Sequence, residues 1–164
     1  MPNSYDRATT RREDNPWLKS KKIDSESRYL LFYKGRVLAS KTSLKWMSPS
    51  SDYTNEQSVF LGILNDRAIF AVPLKSPFED AEAKHRDTRR LGMGLDEMNL
   101  AILCHAQSML HWHHTTQFCS RCSGQLKSTL AGHKKHCTKC NVDIFPRLNP
   151  VVIMNISDGQ KILL

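Results

Sequence analysis

Two Cys-x-x-Cys pairs constrain this chain more than any other feature of its sequence. Cys119 and Cys122 form the first pair, Cys137 and Cys140 form the second, and 14 residues separate the pairs. Each pair can direct two thiolates at one point, and the intervening length suits a hairpin that brings the pairs together. The spacing predicts one closed site of four thiolates, with zinc in a structural role because no position is left for a catalytic water.

Other chemistries of these cysteines are weaker interpretations. Iron can occupy the same four sulfurs, although zinc is the metal more typical of a ribbon. A redox dithiol explains one pair but not two, and a disulfide framework is unexpected without a secretion signal. Nearby histidines are interpreted as surface residues and not as a second metal site; these are His105, His111, His113, His114, His133 and His136.

The N-terminal half divides into a polar lead and a β-rich domain. Residues 1–27 are charged and lack periodic apolar positions, so we predict a flexible segment in which Trp17 and Leu18 are isolated. Residues 28–94 contain short apolar runs joined by turn residues, which predict a small, mostly antiparallel sheet domain. One hairpin is expected to turn at Lys34 and Gly35, and a second at Asn65 and Asp66.

A helical repeat follows the sheet domain. Apolar residues recur on one face over 95–114, which predicts a linking helix with Asp96 as its N-cap and Cys104 as a small core residue. The zinc ribbon is expected over 115–150, and residues 151–164 are expected to form one hairpin. The predicted fold class is therefore α+β.

Charge and hydropathy limit the partners of the chain. The net charge is +8, and residues 115–164 hold 7 basic and 2 acidic side chains. Such a surface attracts phosphate-bearing partners, although an ordinary solvated surface is the simpler interpretation. We expect no membrane span and no secretion signal, hence a soluble intracellular protein whose compartment (cytoplasm, mitochondrion or peroxisome) is not resolved.

Four motifs follow one another between residues 110 and 150: Leu110-His-Trp112-His113, Gln117-Phe118-Cys119-x-x-Cys122-x-Gly124, the second cysteine pair, and Phe145-Pro146-Arg147-x-Asn149-Pro150. Together they resemble the NADH pyrophosphatases of the Nudix superfamily. The resemblance covers roughly residues 28–164 and is most specific over 110–154. In that family an N-terminal domain, a helix and a four-cysteine ribbon precede the hydrolase fold, so residues 151–164 resemble the first hairpin of a Nudix domain.

The resemblance implies a reaction and its cofactors. The family cleaves NADH or NAD to nicotinamide mononucleotide and AMP, with Mg²⁺ or Mn²⁺ held by a glutamate-rich Nudix box. This chain has no glutamate after Glu97, and its only later acidic residues are Asp143 and Asp158. We therefore expect a fragment that is truncated before the box, holds no ligands for those cations and is inactive by itself.

The resemblance also suggests substrate contacts and partners. Phe145 occupies the position of a family aromatic residue that contacts the nucleotide, and Arg90 lies near the position of a family arginine that reaches the substrate. A homodimer, an NADH- or NAD-type dinucleotide and an NAD-capped RNA are the implied partners. Two other functions stay open: a non-catalytic dimerisation or regulatory module, and a nucleic-acid-binding ribbon that uses Lys134, Lys135 and Lys139.

Overall fold

The computed structural model describes residues 5–54, 57–147, 149 and 152–163. Two short 3-10 helices span Thr9–Glu13 and Leu130–Gly132. The α-helices are α1 Asn15–Ile23, α2 Ser51–Thr54, α3 Thr88–Gly92 and α4 Glu97–Thr115. The strands are β1 Arg28–Tyr33, β2 Arg36–Ala39, β3 Val59–Leu64, β4 Arg67–Pro73, β5 Lys84–Arg86, β6 Leu126–Thr129, β7 Lys134–Cys137, β8 Asp143–Ile144, β9 Ile156–Ser157 and β10 Ile162–Leu163.

The main sheet has five strands in the order β3-β4-β1-β2-β5. Both predicted hairpins are present, with β1 antiparallel to β2 and β3 antiparallel to β4. The two hairpins join through a parallel pairing of β1 with β4, and β5 adds a short antiparallel edge. The predicted mixed α+β architecture is confirmed, although the sheet contains this one parallel pair.

Strand β1 is buried on both of its faces, which explains its unbroken apolar sequence. Leu30 and Phe32 point into a core that also contains Ile102, Leu103 and Ala106 of α4. Tyr29 and Leu31 point into a second core on the opposite face, together with residues of α1 and α2. The sheet is therefore covered on both sides.

Helix α4 belongs to the sheet domain and is more than a link. The predicted N-cap is present, because the carboxylate of Asp96 accepts a hydrogen bond from the amide of Asn99 at 2.9 Å. Its face with Ile102, Ala106 and Met109 closes the first core. Cys104, which we predicted to be a core residue, lies on the exposed face. Helical periodicity locates the apolar face, and Cys104 falls outside it.

The prediction of a flexible N-terminal segment is wrong for residues 5–27. Asp14 caps α1, since its carboxylate accepts from the amide of Trp17 at 3.0 Å, and Pro16 follows in the first turn. Leu18 is 7% exposed in the second core, and the Trp17 ring meets Phe60 edge-on. Tyr5 is likewise buried. The helix is short and charged, so its two anchoring side chains resembled isolated residues in the sequence.

The C-terminal third contains two further sheets. Strands β6, β7 and β8 form an antiparallel three-stranded sheet over the cysteine region. Strands β9 and β10 pair antiparallel within the predicted hairpin of residues 151–164, although only Ile156–Ser157 and Ile162–Leu163 are strand. Val152, Ile153 and Met154 precede β9 and are largely exposed. Within the described ranges, no helix has both the length and the apolar character that crossing a membrane requires.

Candidate metal centre

The four predicted cysteines converge on one point. All four sulfur atoms lie within 4.8 Å of one another, with 3.6 Å between Cys119 Sγ and Cys140 Sγ and 3.4 Å between Cys122 Sγ and Cys137 Sγ. A tetrahedron with metal–sulfur bonds of about 2.3 Å has edges of roughly 3.8 Å. A disulfide, by contrast, requires a sulfur–sulfur distance of about 2.05 Å. The arrangement fits one tetrahedral metal ion, and the four thiols are not joined in disulfides in this structure.

The two Cys-x-x-Cys turns have the same backbone hydrogen bonds. The amide of Ser123 donates to the carbonyl of Cys119 at 2.8 Å, and the amide of Asn141 donates to the carbonyl of Cys137 at 2.9 Å. Ser123 and Asn141 both have φ of 57°, so each turn ends on a left-handed residue. This repeated turn directs both thiols of each pair to the same side.

Main-chain amides prepare the first sulfur of each pair for the thiolate form. Hydrogen bonds from the amides of Cys140 and Lys139 lower the pKa of Cys137 to about 6. The amides of Arg121 and Cys122 likewise lower the pKa of Cys119. Hydrogen bonds to the neighbouring sulfurs, that to Cys122 foremost, together with burial, favour the protonated form of Cys140 and raise its pKa to about 12. A bound dication would replace the shared protons and allow all four sulfurs to ionise.

Gly124 is needed because the metal centre lies against its α-carbon. A Cβ at this position would lie 3.2 Å from Cys137 Sγ, 3.3 Å from Cys122 Sγ and 2.8 Å from the Cβ of Lys139. Any larger residue would therefore push the second turn away from the first.

The ribbon is attached to the sheet domain by a polar seam. His133 is 7% exposed, and its Nε2 donates to the carbonyl of Phe60 at 2.6 Å. His113 of α4 reaches the carbonyl of Gly132 at 2.7 Å. Gly132 lies directly on β3, where a Cβ would come 3.0 Å from Val59. The prediction that His133 is a surface residue is wrong, since the ribbon turn inserts it between two units of the fold.

Lys135 is also part of this seam and not of an open basic surface. Its ammonium donates to the carbonyl of His113 at 3.0 Å and to the carbonyl of Thr116, and it lies over the ring of Trp112. The residue is 4% exposed. Of the three lysines assigned to nucleic-acid binding, Lys135 is therefore structural.

The remaining histidines do not assemble a second metal site. His105 is half-buried, and its Nδ1 accepts a hydrogen bond from the hydroxyl of Tyr5 at 2.5 Å. His111 and His114 are exposed on α4, and His136 contacts Asp143. Within the residues that the structure describes, no other group of three or more His, Cys, Asp or Glu side chains is placed to hold an ion.

The two proposed substrate contacts lie in different units. Arg90 is exposed on α3, which Asp87 caps by accepting from the Arg90 amide at 3.0 Å. Phe145 follows β8 in the ribbon and is 54% exposed. Their side chains are accessible, and their role in binding stays a prediction.

Comparison with known proteins identifies the sheet domain. Residues 26–112 match the family model of the NADH pyrophosphatase-like rudimentary NUDIX domain. The mitochondrial NAD(P)H pyrophosphatase NUDT13 of Homo sapiens is 36% identical over 78 residues, which cover 48% of this chain and 22% of that protein. The chloroplastic Nudix hydrolase 19 of Arabidopsis thaliana is 39% identical over 64 residues, covering 38% of this chain and 15% of the relative.

A bacterial relative aligns with more of the sequence. The NAD-capped RNA hydrolase NudC of Mycobacterium tuberculosis H37Rv is 30% identical over 144 residues, covering 84% of this chain and 44% of that protein. The chain thus spans less than half the length of each of these relatives. The matched domain includes α4 as far as Trp112 and ends a few residues before the four-cysteine cluster. Because the family model covers more than half of the chain, this protein belongs to the NADH pyrophosphatase family of Nudix proteins.

Proposed function

We propose that this chain provides the N-terminal domain and the zinc ribbon of an NAD(H) pyrophosphatase. The observation that carries the proposal is the succession of a family-specific domain over residues 26–112 and a four-thiolate cluster held against it by His133. Zinc is the proposed metal, with the structural role of closing the ribbon around Cys119, Cys122, Cys137 and Cys140. Its four sulfur ligands leave no position for water.

The reaction proposed for the whole enzyme, of which this chain would be the N-terminal part, is the hydrolysis of NAD(H) to NMN(H) and AMP. The relatives include an NAD(P)H pyrophosphatase and an NAD-capped RNA hydrolase, which supports an NAD-type dinucleotide as the substrate class. Phe145 is proposed to stack on a base, and Arg90 to pair with a phosphate. Hydrolysis in this family requires Mg²⁺ or Mn²⁺ on clustered carboxylates. Residues 98–164 contain only Asp143 and Asp158 as acids, so we propose that these 164 residues do not catalyse the reaction.

The test is a hydrolysis assay on the purified chain with NADH and Mg²⁺ or Mn²⁺, with zinc content measured on the same sample. The expected result is bound zinc without release of NMN or AMP. Turnover that coelutes with the chain through successive columns would contradict the proposal, because other residues would then perform the chemistry. A Cys104→Ser control should keep its zinc, since Cys104 lies outside the cluster.

We also propose that the chain forms a homodimer. The support for this proposal is the resemblance to the NADH pyrophosphatases, which implies a homodimer. Light scattering during size-exclusion chromatography tests this proposal. A mass of 37.6 kDa, twice the 18.8 kDa chain, is expected at micromolar concentration, and a monomer at all concentrations would contradict it.

A further inference from the structure

A cleft separate from the metal centre lies where the N-terminal helix meets the ribbon. Its volume is about 640 Å³, and it is lined by α1, the residues leading into β3, strand β6 and the following 3-10 helix. A cavity of several hundred Å³ is large enough for a nucleotide-sized ligand. None of the four cysteines, Arg90 or Phe145 lines it.

The cleft is lined by cations without anions. Lys19 and Lys22 come from α1, and Lys127 comes from β6. Lys19 and Lys127 are exposed. The described lining residues include no Asp or Glu. None of the three ammonium groups forms an ion pair or hydrogen bond with the residues that the structure describes, whereas Lys21 on the same helix pairs with Asp24. Lys22 is half-buried, and that burial lowers its pKa.

Neutral polar residues complete the lining; these are Asn15, Gln57, Ser58, Ser128 and Thr129.

We propose that this cleft is a binding site for the phosphate groups of a nucleotide, held by Lys19, Lys22 and Lys127. Lysine ammonium groups are typical phosphate ligands, and a bound phosphate would neutralise the like charges of three residues that line one cleft. The phosphate can belong to a free nucleotide or to the backbone of RNA. Because residues of α1 and of β6 line the same cleft, a bound phosphate would also connect the N-terminal segment to the ribbon. The site does not depend on the proposed pyrophosphatase role, because it shares none of the residues named for that role.

The test is calorimetric titration of the zinc-loaded chain with ADP and with inorganic pyrophosphate at low ionic strength. We compare the wild type with a Lys22→Met, Lys127→Met double variant, which keeps the apolar stems and removes two charges. The matched control is a Lys41→Met, Lys161→Met double variant, which removes the same charge from exposed positions outside the cleft. The expected result is a loss of affinity of about tenfold or more in the cleft variant and less than about twofold in the control.

Two further measurements keep the result interpretable. Amide chemical shifts of wild-type protein should move at residues 57–58 and 126–132 when pyrophosphate is added, which does not depend on any variant folding. A 5′-phosphorylated RNA oligomer that binds more tightly than ADP, with a steeper salt dependence, would identify nucleic acid as the phosphate source. Equal or tighter binding of ADP would identify the free nucleotide. Absence of binding by all three probes, or equal losses in the cleft and control variants, would overturn the proposal.

Discussion

The Nε2 of His133 lies 2.6 Å from the carbonyl oxygen of Phe60, and this contact joins the metal-binding ribbon to the third strand of the sheet domain. The register of β3 with β4 shifts between Phe60 and Gly62, next to this contact. A metal ion on the four cysteines would therefore also position the docking contact, since β7 leads from His133 directly to Cys137.

Replacing His133 with leucine should destabilise the protein by about 1–3 kcal/mol, because the buried carbonyl of Phe60 would lose its donor. The matched control is His111→Leu, since His111 is exposed on α4 and should change the unfolding free energy by less than about 0.5 kcal/mol. Urea unfolding at neutral pH with excess zinc measures both. Equal midpoints for the two variants would show that the contact contributes nothing to docking.

Acid should destabilise the protein through two histidines, His133 in the polar seam and His105, whose ring lies beside that of His133. Burial lowers the pKa of His105 to about 3 and that of His133 to about 4, whereas both titrate near 6.5 in an unfolded chain. The unfolded state therefore binds more protons than the folded state as pH falls below about 6.5, and stability present above that pH is lost progressively towards pH 3. The urea midpoint of wild type between pH 7.5 and pH 5 should fall more steeply than that of a His105→Gln, His133→Gln double variant. Parallel slopes would contradict buried neutral histidines.

The N-terminal helix should contribute to the second core through Leu18. Leu18→Ala should cost about 2–5 kcal/mol, the usual range for a buried leucine, because it leaves a cavity beside Phe60 and Phe70. Ile23→Ala on the same helix is the control, since Ile23 is 78% exposed. Limited proteolysis should release the first 27 residues faster from Leu18→Ala than from wild type. If Leu18→Ala and Ile23→Ala have the same stability and the same rate of cleavage, the N-terminal segment is flexible, as the sequence predicted.

Gly124 should be required for tight metal binding. In Gly124→Ala the new methyl group would press on two metal ligands, so competition with a chromogenic chelator should show weaker zinc binding, by about tenfold or more. Gly94→Ala is the control, because the nearest atom to a Cβ there is the Leu91 oxygen at an ordinary 3.9 Å. An unchanged zinc affinity in Gly124→Ala would contradict this prediction, because the two turns could then move apart without weakening metal binding.

The sequence predicts structure most accurately where a feature is determined by residues that are close together in the chain. Cysteine spacing located the metal cluster, Asn65 and Asp66 located a hairpin with positive φ at both turn residues, and Asp96 located a helix start. These features depend on residues that are close in the chain.

Apart from Cys104, the failures involve contacts between distant segments. Leu18 and Tyr5 have few apolar neighbours in sequence, and only the folded sheet supplies their partners. His133 and Lys135 are polar residues buried by hydrogen bonds to carbonyls of β3 and α4, which no local pattern announces. The one local indication of this contact is Gly132 in the ribbon turn. Its φ of 95° and its lack of a side chain allow the turn to lie directly against β3.

The central claim is that one zinc ion on four cysteines organises the ribbon and its docking. Its most direct test is zinc and iron content per chain, measured by plasma mass spectrometry on wild type, Cys137→Ser and Cys104→Ser, alongside hydrogen exchange of β6 and β7. We predict one zinc per chain in wild type and in Cys104→Ser. Cys137→Ser should lose both its zinc and the protection of β6 and β7, while β1 and β4 stay protected. A metal-free wild type whose ribbon amides are fully protected would contradict the account.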